Sequence, residues 1–291
     1  MQDVKDKVLF ITGGASGIGF GIAKVLVDAG MKAVIGDIRQ DHIEEVLDYF
    51  GKKQQGSRVH AIQLDVTDRD AMKAAADETE KKFGKVHVLF NNAGVDPSGP
   101  FKQASFDDWD FAMSVNLGGV INGVQTFLPR ILKHKEDGHI LSTASLAGLV
   151  TMPAQMAMYA TAKSAVIAFM ESIRGELAAD HIGVSVLCPG PIKSRIHEAR
   201  QNRPGRFKAS AAFQAAADQL AQRQVSDLWM EPEAVGQMCL RAILNNELYI
   251  ITHGEWADAV TARYNAIMAA MPKQTDERLI SSLRDRAPQR D

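Results

Sequence analysis

Short apolar runs alternate with longer amphipathic segments along most of the chain. Lys7 to Thr12, Lys32 to Asp37, Arg58 to Leu64, Val86 to Phe90, His139 to Ala144, Gly183 to Cys188 and Leu248 to Thr252 read as strands. Between them, Gly17 to Ala29, Gln40 to Phe50, Asp68 to Phe83, Asp107 to Leu132 and Met158 to Ala179 carry helical periodicity. Strands apolar on both faces must be covered on both faces, and helical crossovers between parallel strands do this. Such crossovers are right-handed. The pattern predicts an α/β fold: one domain, a doubly wound parallel sheet with helices on both faces. Ligands are then expected beyond the carboxyl ends of the strands. Two stretches depart from the alternation: 191–231, rich in charge and alanine, and the tail after His253. We expect a catalytic domain over 1–254, with 191–231 inserted as a substrate cover. A C-terminal extension over 255–291 is expected to pack on the same domain.

Composition narrows the class of partner. A chain of 291 residues with 46% apolar and 23% charged residues has the balance of an ordinary globular protein. The formal charge of -2 leaves no basic excess to neutralise phosphates, so nucleic acid is not an expected partner. Cys188 and Cys239 have no metal-ligand spacing and read as reduced, buried thiols, so no metal is expected. The polar start lacks the order of a signal peptide, and no apolar run is long enough to span a bilayer. A cytoplasmic protein without a membrane partner is expected.

Candidate chemistry lies at the ends of the strands. The first runs into Thr12-Gly13-Gly14-Ala15-Ser16-Gly17-Ile18-Gly19. Glycines at a strand-to-helix turn let backbone approach a phosphate, and the helix behind them offers unpaired N–H groups and a positive dipole end. The same glycines would also suit a tight packed turn. Asp37 ends the second strand, where an acid can accept hydrogen bonds from ribose hydroxyls and repel a 2′-phosphate. It equally suits a helix cap. Arg39 lies close by and is the one basic group in position to greet a phosphate, but Asp37 should dominate, which favours NAD over NADP. Asp65, followed by Val66, ends the third strand and either meets an adenine amino group or caps the next helix. In Asn91-Asn92-Ala93-Gly94, side-chain amides can tie neighbouring strand ends, while Ala93 and Gly94 leave room for a ribose.

Tyr159 and Lys163, four residues apart, share one face of a helix. A phenol titrates near ~10 in water, and a nearby ammonium favours its ionised form. Ser145 follows the fifth strand and either holds a substrate oxygen or sits in a turn. Asn116 is a poor helix-interior residue, which singles it out. A role holding a water that relays protons from Lys163 is expected of it.

The order TGGASGIG, NNAG, Asn116, Ser145, YATAK and CPGPIKS resembles the short-chain dehydrogenases/reductases, over about Lys7 to Thr252. The resemblance implies a Rossmann-like fold and an oxidoreductase exchanging hydride between a nicotinamide cofactor and a secondary alcohol or ketone. It implies a catalytic set of Asn116, Ser145, Tyr159 and Lys163. Cofactor contacts are implied at Gly13, Ser16, Gly17, Ile18, Gly19, Asp37, Asp65, Asn92, Gly94, Pro189, Gly190, Ile192 and Ser194. Ser194 stands where most members have threonine. A homodimer or homotetramer paired through the helices around Asn116 and Tyr159 is also implied. More narrowly, GVINGVQTFLPRI, CPGPIKSRIHEA and ELYIITH are similar to bacterial Cα-dehydrogenases of lignin degradation, which oxidise the benzylic alcohol of β-aryl ethers with NAD.

Other features leave alternatives open. Met152, Met156 and Met158 either mould around an aromatic ligand or pack in the core. Phe207, Phe213, Trp229 and Trp256 either shield a bulky aromatic substrate or pack lid to core. Arg195, His197, Arg200 and Arg203 read as a solvated face or as contacts to a polar substrate end. A hydroxysteroid or cyclic alcohol is the alternative substrate, and a non-catalytic NAD(H)-binding sensor or scaffold the alternative of another class. The full catalytic set argues against the latter.

Overall fold

The computed structural model describes residues 1–196, 198, 202–221 and 226–272. Two compact units divide the chain at His253, and residues 1–253 hold the sheet and everything described below except one helix. Seven parallel strands run β1 (Val8–Thr12), β2 (Lys32–Asp37), β3 (Val59–Gln63), β4 (Val88–Asn91), β5 (Gly138–Thr143), β6 (Ile182–Cys188) and β7 (Tyr249–Ile251). Their spatial order is β3-β2-β1-β4-β5-β6-β7. The chain therefore winds outward from β1 to β3, then reverses across β1 to β4. The crevice at such a reversal is where open α/β sheets bind ligands.

The helices are α1 (Gly17–Asp28), α2 (Gln40–Lys52), α3 (Arg69–Phe83), α4 (Phe106–Met113), α5 (Gly119–Lys133), α6 (Ala157–Ala178), α7 (Ala211–Ala221) and α8 (Pro232–Asn245), with α9 (Ala257–Ala269) in the second unit. Alternate residues of β1 serve opposite layers. Leu9 and Ile11 join Ile22, Leu26, Val46 and Phe50 beneath α1 and α2. Phe10 turns the other way and stacks on Phe127 of α5 at 4.3 Å. Full burial of each such side chain stabilises the fold by about 1.5–3 kcal/mol. Cys188 and Cys239 are free and buried in the same core.

The edges depart from the expected two-sided burial. β3 is only half-buried after Val59, and β7 buries Ile250 alone. The single helix predicted over 107–132 is also broken. α4 ends at Met113 and a π-helical turn, Ser114–Gly118, joins it to α5. Ser105 starts α4 with a reciprocal cap: its hydroxyl accepts from Asp108 N, while its backbone N–H donates to the Asp108 carboxylate. Among the described residues no helix is long and apolar enough to cross a membrane.

Candidate active site

The glycine turn is shaped by what touches it. Gly13 and Gly17 have φ of +61° and +50°, a left-handed backbone that disfavours side chains. A Cβ on Gly13 would lie 2.8 Å from Ala93 Cα, and one on Gly19 2.2 Å from Gly13 O. Ser16 occupies the N-cap of α1 and its side chain makes no cap hydrogen bond, which leaves N–H groups of the first turn without a side-chain partner at the N-cap. Asn92 knots the floor together. Its Nδ2 donates to Thr12 O at 3.2 Å and Gly13 O at 3.0 Å, and its Oδ1 accepts from Thr143 Oγ1 at 3.0 Å. One amide thus joins the ends of β1, β4 and β5.

Both acids that sequence left between cap and ligand contact resolve away from capping. Arg39, not Asp37, occupies the N-cap of α2. The nearly buried Asp37 carboxylate accepts from Ala15 N and Arg39 N, each at 3.1 Å. Burial pushes its pKa up, and these two N–H groups oppose the shift. Asp68, not Asp65, caps α3. Asp65 Oδ1 accepts from Thr67 N and Thr67 Oγ1, while Oδ2 lies 3.3 Å from Arg206 of the cover. Arg39 forks onto Asp41 at 2.8 and 2.5 Å, with Glu198 of the cover 4.0 Å away. Its charge is engaged by carboxylates.

At the other end of the cleft, β5 and α6 bring the chemical groups together. Lys163 is almost fully buried and its Nζ donates to Thr143 O at 2.8 Å. The ammonium lies 5.6 Å from the centre of the Tyr159 ring, and burial lowers its pKa to about 8. Burial raises the Tyr159 phenol well above its usual value, and the Asp96 charge adds to the rise. Ser145, within hydrogen-bonding reach, opposes it. Ser145, not Lys163, supplies the lowering influence on the phenol in the protein alone. The Lys163 ammonium is directed at a carbonyl, and desolvation of the phenolate dominates. Ser145 Oγ also accepts from Ala147 N at 3.1 Å.

Asn116 sits in the π-helical turn with no exposed surface. Its Oδ1 accepts from Val95 N and its Nδ2 donates to Val95 O, both at 3.0 Å. Through these two bonds the side chain clamps the loop after β4. A Cβ on Gly94 would lie 3.0 Å from Asn116 Oδ1 and 3.4 Å from Lys163 Nζ, so glycine leaves that space to them.

Tyr159 and Lys163 line one continuous cleft with the glycine turn and Asp37; it holds about 1130 Å³ free of protein atoms, part of it open to solvent, and the buried Ser145 and Asn116 are not part of its wall. Of the residues singled out as cofactor contacts, Gly13, Ser16, Gly17, Ile18, Asp37, Arg39, Asp65, Val66, Asn92, Ala93, Gly94, Tyr159, Lys163, Pro189 and Ser194 form its wall. Gly19, Gly190 and Ile192 stand behind it. Gly19 and Gly190 allow close packing against Gly13 and His253, and Ile192 belongs to the core. His42, Val115, Thr143, Glu198 and Asn202 also line the cleft and were not anticipated. Thr143, as the last residue of β5, was findable by the same strand-end rule that gave Asp37. Asn202 Oδ1 is buried there with no hydrogen-bond partner. An uncapped helix N-terminus, a glycine cradle and an orphaned amide oxygen together fit a dinucleotide.

The aromatic and basic residues of 191–231 and the tail divide between the alternatives left open for them. Phe213 is buried with Met158 and Ala112. Phe207 lines a second cavity, Trp229 lines neither, and Trp256 belongs to the second unit. Arg195 lines the cleft and lies 3.4 Å from Glu45. His197 and Arg200 lie outside the described residues.

The family described as short chain dehydrogenase matches residues 7–204. The chain belongs to the short chain dehydrogenase family. A C alpha-dehydrogenase of Sphingobium sp. is 38% identical over 278 residues, 95% of this chain and 90% of that protein. LigO from Sphingobium sp. strain SYK-6 superimposes with a TM-score of 0.79 at 39% identity, covering 98% of this chain and 97% of that one. A short chain dehydrogenase/reductase from Burkholderia phymatum, solved in complex with NAD, gives a TM-score of 0.86 at 32% identity over 95% and 99% of the two chains. This short chain dehydrogenase is accordingly an oxidoreductase of the alcohol dehydrogenase kind, and its Rossmann-like sheet is the family's.

Proposed function

We propose that this short chain dehydrogenase oxidises a secondary alcohol with NAD, and that its substrate is the benzylic Cα alcohol of a lignin-type β-aryl ether. The observation that carries the chemistry is Tyr159 and Lys163 in the wall of a cleft that Asp37 also lines, with Ser145 within hydrogen-bonding reach of Tyr159. NAD, when bound, supplies the hydride acceptor and a positive ring that favours the phenolate. Tyr159 takes the hydroxyl proton, and Ser145 holds the same oxygen. Lys163, fixed on Thr143 O, adds positive charge beside the phenolate and reaches the ribose. Asn116 acts at one remove, by holding Val95 and the adjoining Gly94 in place. Water is held back by the cover, which supplies Ser194, Ile196, Asn202 and Pro204 to the cleft wall.

Cofactor choice follows from charge. A 2′-phosphate beside Asp37 would meet a buried carboxylate, and the nearby cation Arg39 is held by Asp41 and Glu198. That favours NAD. The substrate reading rests on the likeness to the Sphingobium C alpha-dehydrogenase. The test is reduced-cofactor absorbance with NAD or NADP against a guaiacyl β-aryl ether, a hydroxysteroid and a cyclic alcohol. Turnover of the ether with NAD is expected. Tyr159→Phe should lower kcat by at least the ~10²–10⁴-fold typical of a general base and leave NAD binding intact. Equal loss of both would refute the assigned role.

A further inference from the structure

A second cavity, with about 730 Å³ of empty space, adjoins the cofactor cleft. Pro204 lines both, and the boundary passes between Val95, in the cleft wall, and Asp96, in the wall of the second cavity. The boundary is held firmly. Asn116 grips Val95 by both backbone groups, and Gly99 N donates at 3.0 Å to Gln155 O, four residues before Tyr159. The far walls are aromatic. Phe111 and Phe207 lie 6.1 Å apart at 45°, and Phe213 closes against Gly99. Such faces suit a flat ring.

The charges in this wall are not equivalent. Arg203 stacks over Phe111 at 4.9 Å, pairs with buried Asp108 at 2.9 Å, and donates to Phe207 O and Lys208 O. Its guanidinium is spent on fastening the cover to α4. Asp96 is the one carboxylate among the described lining residues. Its Oδ1 accepts from Ser98 N and Ser98 Oγ, which fixes its orientation. A carboxylate offers about four acceptor sites. The field of Asp96 also reaches Tyr159.

We propose that this second cavity is the subsite for the body of the substrate, in which Phe111 and Phe207 pack an aryl ring and Asp96 accepts a hydrogen bond from a second hydroxyl near the reacting carbinol. The inference rests on the aryl alcohol reading above. The ligand class it names is a neutral aromatic diol or polyol, and a carboxylate in the same place is repelled.

The test compares an aryl carbinol carrying a neighbouring hydroxymethyl group with its deoxy analogue. Wild type should favour the hydroxymethyl compound in kcat/KM by about ten- to a hundredfold, the worth of a hydrogen bond to a charged group. In Asp96→Asn the amide oxygen stays with Ser98 and the NH₂ cannot accept, so the preference should fall to about threefold or less. Turnover of the deoxy compound reports that the variant is folded. With that compound, the rising limb of the pH–rate profile should move to lower pH, because a negative charge beside Tyr159 has gone. Phe207→Ala should raise KM for both compounds alike. Wild-type turnover without preference, or a preference kept in Asp96→Asn, overturns this inference alone. Failure of both carbinols overturns the aryl alcohol reading and this inference with it.

Discussion

His139 is fully buried in β5 with its Nε2 2.8 Å from Ser185 Oγ, and Ser185 in turn donates to Glu247 O. Burial lowers its pKa to about 3, and that of His87 to about 4. An unfolded histidine takes a proton near ~6.5. Below that pH the unfolded state gains a proton that the folded state refuses, so stability falls as pH drops from about 6.5 toward 3. Each histidine costs at most about 1.4 kcal/mol per pH unit inside its window. Urea midpoints measured between pH 7 and 4 should fall less steeply in His139→Gln than in wild type, whatever the variant loses at pH 7. Identical slopes would show that His139 is not the proton site. Single residues were unevenly legible. Tyr159 and Lys163 could be paired from their spacing on one helix face, whereas Ser145 was equally readable as a turn residue. His42 and Glu198 carried no signal, since an ordinary helix histidine and a cover glutamate become neighbours, at 3.9 Å, only in the fold.

At the scale of elements, α1 and α8 approach so closely that a Cβ on Gly21 would lie 2.4 Å from Pro232 Cβ. Alanine is the better helix former by about 1 kcal/mol. Overpacking costs about 1–3 kcal/mol, and here the obstacle includes backbone. Gly21→Ala should therefore lower the denaturant midpoint with an unchanged slope, whereas a higher midpoint would mean that α8 yields freely. α8 was legible and was passed over. Pro232 at its start and Val235, Cys239, Ala242 and Ile243 on one face are ordinary helix signals. The break between α4 and α5 is different. It goes with a pair of bonds from Asn116 to Val95, a tertiary contact that no local periodicity encodes.

At the scale of the whole sheet, the parallel doubly wound arrangement follows from the alternation of apolar runs and crossover helices. The mode of attachment of the cover does not. Arg206 bonds to Asp65 and Thr67, Arg203 pairs with Asp108, and Glu198 approaches Arg39 and His42. Residues far apart in sequence meet there, many of them through charged side chains. Glu198 brings a second carboxylate to Arg39, so Glu198→Gln should raise the NADP/NAD ratio of kcat/KM by about three- to tenfold, modest because the pair is partly exposed. An unchanged ratio would leave Asp37 and Asp41 as the whole of the selectivity.

The knot made by Asn92 divides the labour of the chain. The floor on which proton and hydride meet is cross-tied through three strands, so altering it disturbs all three at once. The second cavity draws much of its wall from 203–214, a run fastened from outside the sheet. If the second cavity holds the substrate as proposed, a graft of that run between relatives would change what is accepted and leave the cross-tied floor as it is.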